Sequence, residues 1–102
     1  MDKSMFDRLN TSEKRLHEID DLLLLPETTG DMREFKKLSK ERSVLEPIVE
    51  KFKERKFADQ NKKDALEMCN DSDPDISQMG KDELKKNEQL LENIEEELKI
   101  LL

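Results

Sequence analysis

Apolar residues recur along most of the chain at alternating three- and four-residue steps, a spacing that places them on one face of a helix. In the first segment, from about Ser4 to Leu25, the row consists of Met5, Leu9, Ser12, Leu16, Ile19 and Leu23. Ser12 is its one polar member. Pro26 ends the pattern, and residues 26–31 form a predicted loop. The row therefore predicts a first amphipathic helix.

The second segment is the longest, from Met32 to about Asn70. Asp31 is a predicted N-cap, with Glu34 three residues later as in a capping box. The predicted inward face consists of Phe35, Leu38, Leu45, Ile48, Phe52, Ala58, Leu66 and Cys69.

Pro47 interrupts this second segment. A proline inside a helix removes a hydrogen bond and crowds the preceding turn, so we expect a kink or break near Glu46. Ser43 and Glu46 could cap a helix that restarts there, which predicts two nearly continuous helices.

The third segment begins after a turn at residues 70–73, where Asp73 is a predicted N-cap and Pro74 the first helical residue. Gly80 is a predicted soft point. The apolar row consists of Leu84, Asn87, Leu91, Ile94, Leu98 and Leu101. Short turns make successive helices antiparallel. We predict an all-α fold in one domain, residues 1–102: an elongated, coiled-coil-like antiparallel helical hairpin bundle of three segments.

The chain ends on Ile100, Leu101 and Leu102, with neither a capping residue nor a charged tail. We expect this domain to be a fragment of a longer protein. Ile94, Leu98, Leu101 and Leu102 would then lack their covering domain. The expectation is that they become buried against a neighbour, in a dimer formed through this end.

Composition narrows the class further. Hydrophobic residues make up 33% and charged residues 44% of the chain, too few apolar groups for a sandwich or an α/β core. Cys69 is the only cysteine, so no intramolecular disulfide can form, and we predict a cytoplasmic protein. The longest apolar run, residues 22–25, is too short to span a bilayer.

Catalytic and metal-binding patterns are weak. Asp71, Asp73 and Asp75 have the spacing of calcium ligands, but Ile76 and Asp82 stand where a calcium loop needs Gly and Glu. They are interpreted as capping acids. A lone histidine, residue 17, has no ligand or base partner. We predict no enzyme activity, no metal, no cofactor and no small-molecule substrate.

Charge is unevenly distributed. Residues 33–63 contain eleven Lys or Arg against six acids, whereas the remainder contains eight against twenty. The basic segment could pair with acidic neighbours across the bundle, as the flanks of coiled coils do. It could instead contact a phosphate backbone on one face. Both interpretations remain open.

The segment Leu38–Phe52 resembles the signature helix of the amino-terminal domain of bacterial class I peptide-chain release factors. The order of the other segments is similar: Arg15–Ile19 before it, Asp73–Leu84 after it, and then a Glu-rich helix closing on leucines. The chain contains no Trp. In this respect it resembles the type that reads UAA and UAG more than the UGA-reading type, which usually carries a Trp in this region. Arg55 and Lys62 depart from the pattern, because relatives often place apolar residues at these inward positions.

The resemblance implies a role in translation termination, with this domain positioning the factor near the stalk and GTPase-associated region of the ribosome. Implied partners are the stalk-base protein, ribosomal RNA and the GTPase release factor. The stop-codon and Gly-Gly-Gln loops of the family lie outside this chain, so no chemistry is implied here. The residues expected to face the ribosome are Lys36, Lys37, Lys40, Lys51, Lys53 and Lys56.

Two alternatives stay open on the residues alone. A coiled-coil adaptor or scaffold has the same periodicity. A tRNA-binding helical arm also uses a long antiparallel hairpin, but the layout interrupted at Pro47 disfavours it.

Overall fold

The computed structural model describes residues 1–102, and its regular secondary structure is entirely helical, covering 88% of the chain. The helices are α1 (Lys3–Leu22), α2 (Pro26–Thr29), α3 (Met32–Cys69) and α4 (Pro74–Leu101). The all-α prediction is confirmed. None of the four helices has both the length and the apolar character needed to cross a bilayer.

The predicted loop between the first two segments contains the single-turn helix α2. Pro26 starts this turn, since its fixed φ suits the first helical position and its missing N–H costs nothing there. Thr28 on the same turn is buried. Helix α1 consequently ends at Leu22, three residues before the predicted end at Leu25.

Asp31 caps α3 as predicted. Its Oδ1 accepts hydrogen bonds from the backbone N–H groups of Arg33 and Glu34, at 3.1 and 3.2 Å. The N–H of Asp31 donates to the carbonyl of Thr28 at 3.1 Å, so it is satisfied by the α2 turn. A carboxylate at the helix start satisfies donors that have no partner inside the helix.

Helix α3 runs without a break through Pro47, so the predicted restart is wrong. The Ser43 hydroxyl donates to the carbonyl of Lys40, and Glu46 accepts from Arg42 within the same helix. Neither side chain caps a new start. Ile48 and Val49, directly after the proline, are buried, and their packing offsets the lost hydrogen bond. A bend at Pro47 stays a prediction.

The chain divides into two compact units, residues 1–50 with Leu101 and residues 51–100 with Leu102. The first unit contains α1, α2 and the beginning of α3. Its buried side chains are Leu9, Leu16, Ile19, Thr28, Leu38, Ile48 and Val49. The predicted rows are thus largely confirmed, but Phe35 is wrongly assigned to the inward face, being 38% exposed.

The second unit contains the rest of α3 and α4. As residue numbers rise along α3, the numbers of their α4 partners fall: Lys51 contacts Glu97, Arg55 contacts Glu95, and Cys69 contacts Ser77. These pairs show the antiparallel arrangement directly.

The facing rows of the second unit both advance in three- and four-residue steps, as in a coiled coil. On α3 the row is Arg55, Ala58, Lys62, Ala65 and Cys69; on α4 it is Ser77, Gly80, Leu84, Asn87, Leu91, Ile94 and Leu98. Ala65 takes the place predicted for Leu66, which is 46% exposed. The inward placement of Arg55 and Lys62 is confirmed.

Gly80 on α4 lies in tight contact with the end of α3. A Cβ atom built there would lie 2.7 Å from the backbone nitrogen of Cys69 and 2.7 Å from the Cβ of Met68. One turn earlier, the Ser77 hydroxyl donates to the Cys69 carbonyl at 2.9 Å. Gly80 is therefore a tight contact, and the expected soft point is wrong.

The apolar end of α4 is partly covered by the chain itself. Ile94 and Leu98 are buried, so the expectation that they need a neighbour is wrong for these two. Ile100 is 85% exposed and Leu101 remains at the surface. Pairing of two copies through this end stays a prediction.

Candidate interaction surface on α3

Two arginines of the first unit, Arg15 and Arg42, form ion pairs. Arg15 holds Glu41 with two hydrogen bonds, from Nε to Oε1 at 2.6 Å and from Nη2 to Oε2 at 3.0 Å. Arg42 bonds Asp20 through Nε at 2.7 Å and Glu46 through Nη1 at 2.7 Å. Guanidinium groups suit such forked contacts. The charges of Arg15 and Arg42 therefore join α1 to α3 and are not available to a partner.

The pairing changes the acid–base behaviour of Glu41. The hydrogen bond from Arg15 is the main cause that lowers the pKa of Glu41, and the nearby charges of Arg15 and Lys37 act in the same direction. The same hydrogen bond raises the pKa of Arg15. Both groups stay ionised across the physiological range.

Lys51 behaves differently from the other predicted surface lysines. Its Nζ lies 2.5 Å from Glu97 and 3.0 Å from Glu54, and its side chain is only 24% exposed. The hydrogen bond to Glu97, followed by that to Glu54, raises the pKa of Lys51. At this residue the basic segment pairs with an acidic neighbour across the hairpin, so Lys51 is a poor candidate for contact with a partner.

Three of the predicted lysines form a continuous exposed surface in the first unit. Lys36, Lys37 and Lys40 are exposed and none of them is in an ion pair, although Lys37 lies close enough to Glu41 to help lower its pKa. Arg33 precedes them by one turn and is also exposed without an ion pair. We call these four residues the α3 basic stripe. They span about 10 Å along one side of the helix. Sequence reasoning left Arg33 out, although its three- and four-residue spacing from Lys36 and Lys37 was a usable signal.

The last two predicted lysines lie in the second unit. Lys53 is exposed and unpaired. The Nζ of Lys56 lies 4.2 Å from the centre of the Phe52 ring, a cation–π distance. Four of the six predicted lysines are thus exposed without an ion pair. Lys36, Lys37 and Lys40 lie together in the first unit, whereas Lys51, Lys53 and Lys56 belong to the second unit.

Two polar side chains, Arg55 on α3 and Asn87 on α4, lie in the facing rows of the second unit. The Arg55 side chain is 17% exposed, and its Nη2 lies 3.2 Å from Glu95 Oε1. Its Nε is buried without a hydrogen-bond partner. Asn87 is also buried, and its amide donates to the Glu83 carbonyl at 2.8 Å. These groups fill positions where apolar side chains would pack.

The acidic turn before α4 has a structural explanation. Asp71 Oδ1 accepts from the N–H of Asp73 at 2.8 Å, and Asp73 Oδ1 accepts from the N–H of Asp75 at 2.9 Å. The structure contains no group of three or more side chains that could hold a metal ion. His17 is exposed, and Cys69 is a half-buried free thiol. The α3 basic stripe is therefore the principal candidate surface, and its chemistry is the binding of anions.

Comparison with known proteins gives this surface a family context. The model of the PCRF domain matches residues 12–102. The chain belongs to the PCRF domain family. Among curated relatives, peptide chain release factor 1 of Agathobacter rectalis is 40% identical over 99 residues, covering 96% of this chain and 28% of the relative.

Further relatives of this PCRF domain carry the same name. Peptide chain release factor 1 of Lawsonia intracellularis is 40% identical over 98 residues, which cover 96% of the chain and 27% of the relative. That of Streptococcus uberis is 39% identical over 101 residues, 97% of the chain and 28% of the relative. The chain thus spans less than a third of the length of these relatives. No solved structure matches it.

Proposed function

We propose that this PCRF domain acts in translation termination, as the part of a class I peptide-chain release factor that positions the factor on the ribosome. The family match along residues 12–102 supports this function over the adaptor and tRNA-arm alternatives. The relatives' shared name, together with the absence of Trp, supports the type that reads UAA and UAG. Such a factor works in the cytoplasm.

The α3 basic stripe is the observation that carries the positioning role. The chain as a whole has a net charge of -7, so most of its surface repels a polyanion. Arg33, Lys36, Lys37 and Lys40 are exposed cations that form no ion pair. They favour approach of ribosomal RNA to this side of α3. The stalk and GTPase-associated region is the proposed location, with the stalk-base protein and the GTPase release factor as further partners.

The domain contributes binding and no chemistry in this proposal. Hydrolysis of peptidyl-tRNA belongs to a loop of the parent factor outside this chain. The side chains of the stripe bind phosphate through charge and hydrogen bonds, and neutralising each phosphate releases counterions.

The test is a triple charge reversal on the stripe, Lys36→Glu, Lys37→Glu and Lys40→Glu, with binding to ribosomes measured by co-sedimentation over a range of salt concentrations. Wild-type binding should weaken steeply with salt. The variant should bind more weakly at low salt and show a shallower salt dependence, by roughly one unit of logarithmic slope for each lost phosphate contact.

The matched control reverses three exposed lysines of α4, Lys81, Lys85 and Lys86. It makes the same change in net charge on another helix. Equal weakening by both triple variants would show a general charge effect and defeat the assignment of the stripe. Unchanged binding of the stripe variant would remove it from the contact surface.

A further inference from the structure

The α3 basic stripe belongs to a longer exposed row that contains no acidic residue. The residues that follow three- and four-residue steps along this side of α3 are all exposed: Arg33, Lys36, Lys37, Lys40, Ser43, Val44 and Pro47. The four cations come first and the uncharged side chains after them. The next exposed acid along α3 that has no ion pair, Glu50, lies about 15 Å beyond Lys40.

The stripe faces away from the rest of the first unit. Leu38, in the middle of the same stretch, is 2% exposed and packs inward. Glu41 is held by Arg15 of α1. Arg42, the next residue, is held by Asp20 of the same helix. These contacts place α1 on the opposite side of α3 from the stripe, so a large partner can reach the stripe without displacing α1.

The acidic residues beside the stripe leave it with a positive charge. Glu41 lies near Lys37, but two hydrogen bonds from Arg15 hold it. The carboxylate of Asp31 accepts backbone N–H groups at the start of α3, where the helix dipole offsets its charge. Glu34 is exposed without an ion pair, one turn before Lys37. Four cations against this one unpaired acid leave a local charge of +3.

The stripe lacks the side chains that bind unpaired bases. Surfaces for single strands stack bases on aromatic rings, and amide side chains read the edges of bases. Residues 32–51 contain no Asn, Gln, His, Trp or Tyr. Their one aromatic residue, Phe35, falls on the side of the helix away from the stripe. The stripe therefore binds an anion mainly through its charge.

A contact made by charge favours the polyanion with the densest charge. A double helix carries one negative charge per about 1.7 Å of its axis, against about 3.4 Å for one strand. Each neutralised phosphate accordingly contributes about 0.9 to the logarithmic salt slope in a duplex and about 0.7 in a single strand. The same four cations therefore gain more binding free energy from a duplex than from a single strand.

We propose that the α3 basic stripe binds the phosphate backbone of a base-paired RNA stem and does not read unpaired bases. The stripe spans about 10 Å, which corresponds to roughly three base-pair steps of about 3.4 Å. This inference rests on the proposed function in taking RNA as the polyanion, and it adds the form of RNA that the stripe selects. The preference can be measured on this chain without ribosomes.

The test compares a short RNA duplex with oligouridylate of equal phosphate number, both end-labelled, by fluorescence anisotropy over a range of salt concentrations. Four phosphate contacts predict a salt slope of about -3.6 for the duplex and about -2.8 for the single strand. Starting from equal affinity at about 1 M salt, this difference makes the duplex bind about tenfold more tightly at about 50 mM. Oligouridylate binding as tightly as the duplex, or no duplex binding at low salt, would overturn the proposal.

Charge reversals assign the binding to the stripe. The triple reversal of the stripe lysines should make the duplex slope shallower by about 2.7, which is three contacts at about 0.9 each. The matched triple reversal on α4 makes the same change in net charge and should leave the slope unchanged. Equal changes in both variants would contradict binding at the stripe.

Two further measurements separate backbone contact from other modes of binding. Arg33→Lys keeps the charge but removes a flat guanidinium that could stack on a base, so duplex affinity should change by less than about threefold. A loss of about tenfold or more would show a base contact and overturn the proposal. Duplexes of only G·C and only A·U pairs should bind equally. Polyglutamate binding as tightly as the duplex would indicate an acidic protein partner instead.

The two proposals fail in distinguishable ways. Weaker ribosome binding in the stripe reversal, together with equal binding of duplex and oligouridylate, would support the positioning role and contradict the selection of base-paired RNA. Unchanged ribosome binding in the stripe reversal, together with tighter binding of the duplex by the wild type, would do the reverse.

Discussion

Gly80→Ala tests how closely α3 and α4 pack. In an ordinary helix interior this substitution stabilises a protein by about 0.5–1 kcal/mol, because glycine loses more backbone freedom on folding than alanine. Here the new Cβ would lie 2.7 Å from the Cys69 nitrogen, 2.7 Å from the Met68 Cβ and 2.9 Å from the Met68 carbonyl carbon. Ordinary contacts of a Cβ atom are 3.4–4 Å.

None of these three atoms can rotate away, because two belong to the backbone of α3 and the third is attached to it directly. Helix α4 must therefore move away from α3, which also strains the 2.9 Å hydrogen bond from Ser77 to the Cys69 carbonyl. Overpacking of this kind costs about 1–3 kcal/mol. After subtracting the gain in helix propensity, we expect Gly80→Ala to lower the free energy of unfolding by about 1–2 kcal/mol.

The measurement is urea unfolding followed by far-ultraviolet circular dichroism, with thermal unfolding as a second readout. The expected loss corresponds to a melting temperature lower by about 4–15 °C. Lys81→Ala, at the exposed neighbouring position on α4, is the control and should change stability by less than about 0.5 kcal/mol. If Gly80→Ala were as stable as the wild type or more so, the close approach of the two helices would be refuted.

Three further predictions concern single contacts. Because the pKa of Glu41 is lowered, its ion pair with Arg15 stabilises the fold above the ordinary glutamate pKa of 4.5, and this stabilisation is lost as pH falls through the lowered pKa. The difference in unfolding free energy between wild type and Glu41→Gln, measured by urea unfolding, should therefore shrink in that acidic range. A difference that does not change with pH would contradict this prediction. The double variant Arg55→Met, Glu95→Met should unfold at a higher urea concentration, with a free energy of unfolding higher by about 1 kcal/mol, because it removes a buried Nε that has no hydrogen-bond partner. A loss of stability would mean that the attraction within the ion pair exceeds the cost of removing the two charges from water. Asp73→Ala should lower the free energy of unfolding by about 1 kcal/mol, measured by thermal unfolding, because it removes the N-cap of α4. Asp73→Asn should keep most of this stability, since its side-chain oxygen can still accept the hydrogen bond. Equal losses in both variants would argue against the cap.

Local sequence patterns predicted the three long helical segments, but not the single turn α2. Asp31 and Asp73 cap α3 and α4 as expected, because an N-cap acts on donors only two or three residues away. The apolar rows of α1 and α4 were largely correct for the same reason, since their steps of three and four residues depend only on helix geometry, although Leu101 at the end of the α4 row is exposed. The continuity of α3 through Pro47 was missed because it depends on packing around the proline, which no local pattern contains.

The candidate surface could be predicted only in part. The excess of basic residues on α3 is visible in the sequence, and Lys36, Lys37 and Lys40 are exposed and form no ion pair. The sequence does not show that Lys51 is held by Glu97, a residue 46 positions later, because ion pairing between helices requires the register of the hairpin. The helical repeat placed Phe52 on the inward face and left Phe57 out of it, and the structure buries Phe52 and exposes Phe57.

Helices, caps and charge segregation were thus determined by the sequence alone, because each arises from residues within a turn or two of one another. The tertiary structure decided which row of α3 faces α4. A shift of one residue exchanges Leu66 for Ala65 at the interface, and both choices fit a helical repeat. The structure buries Ala65 and leaves Leu66 at the surface, a choice that depends on how α3 and α4 pack against each other and not on the repeat within either helix. The row that faces α4 excludes Phe57, whose side chain is 68% exposed.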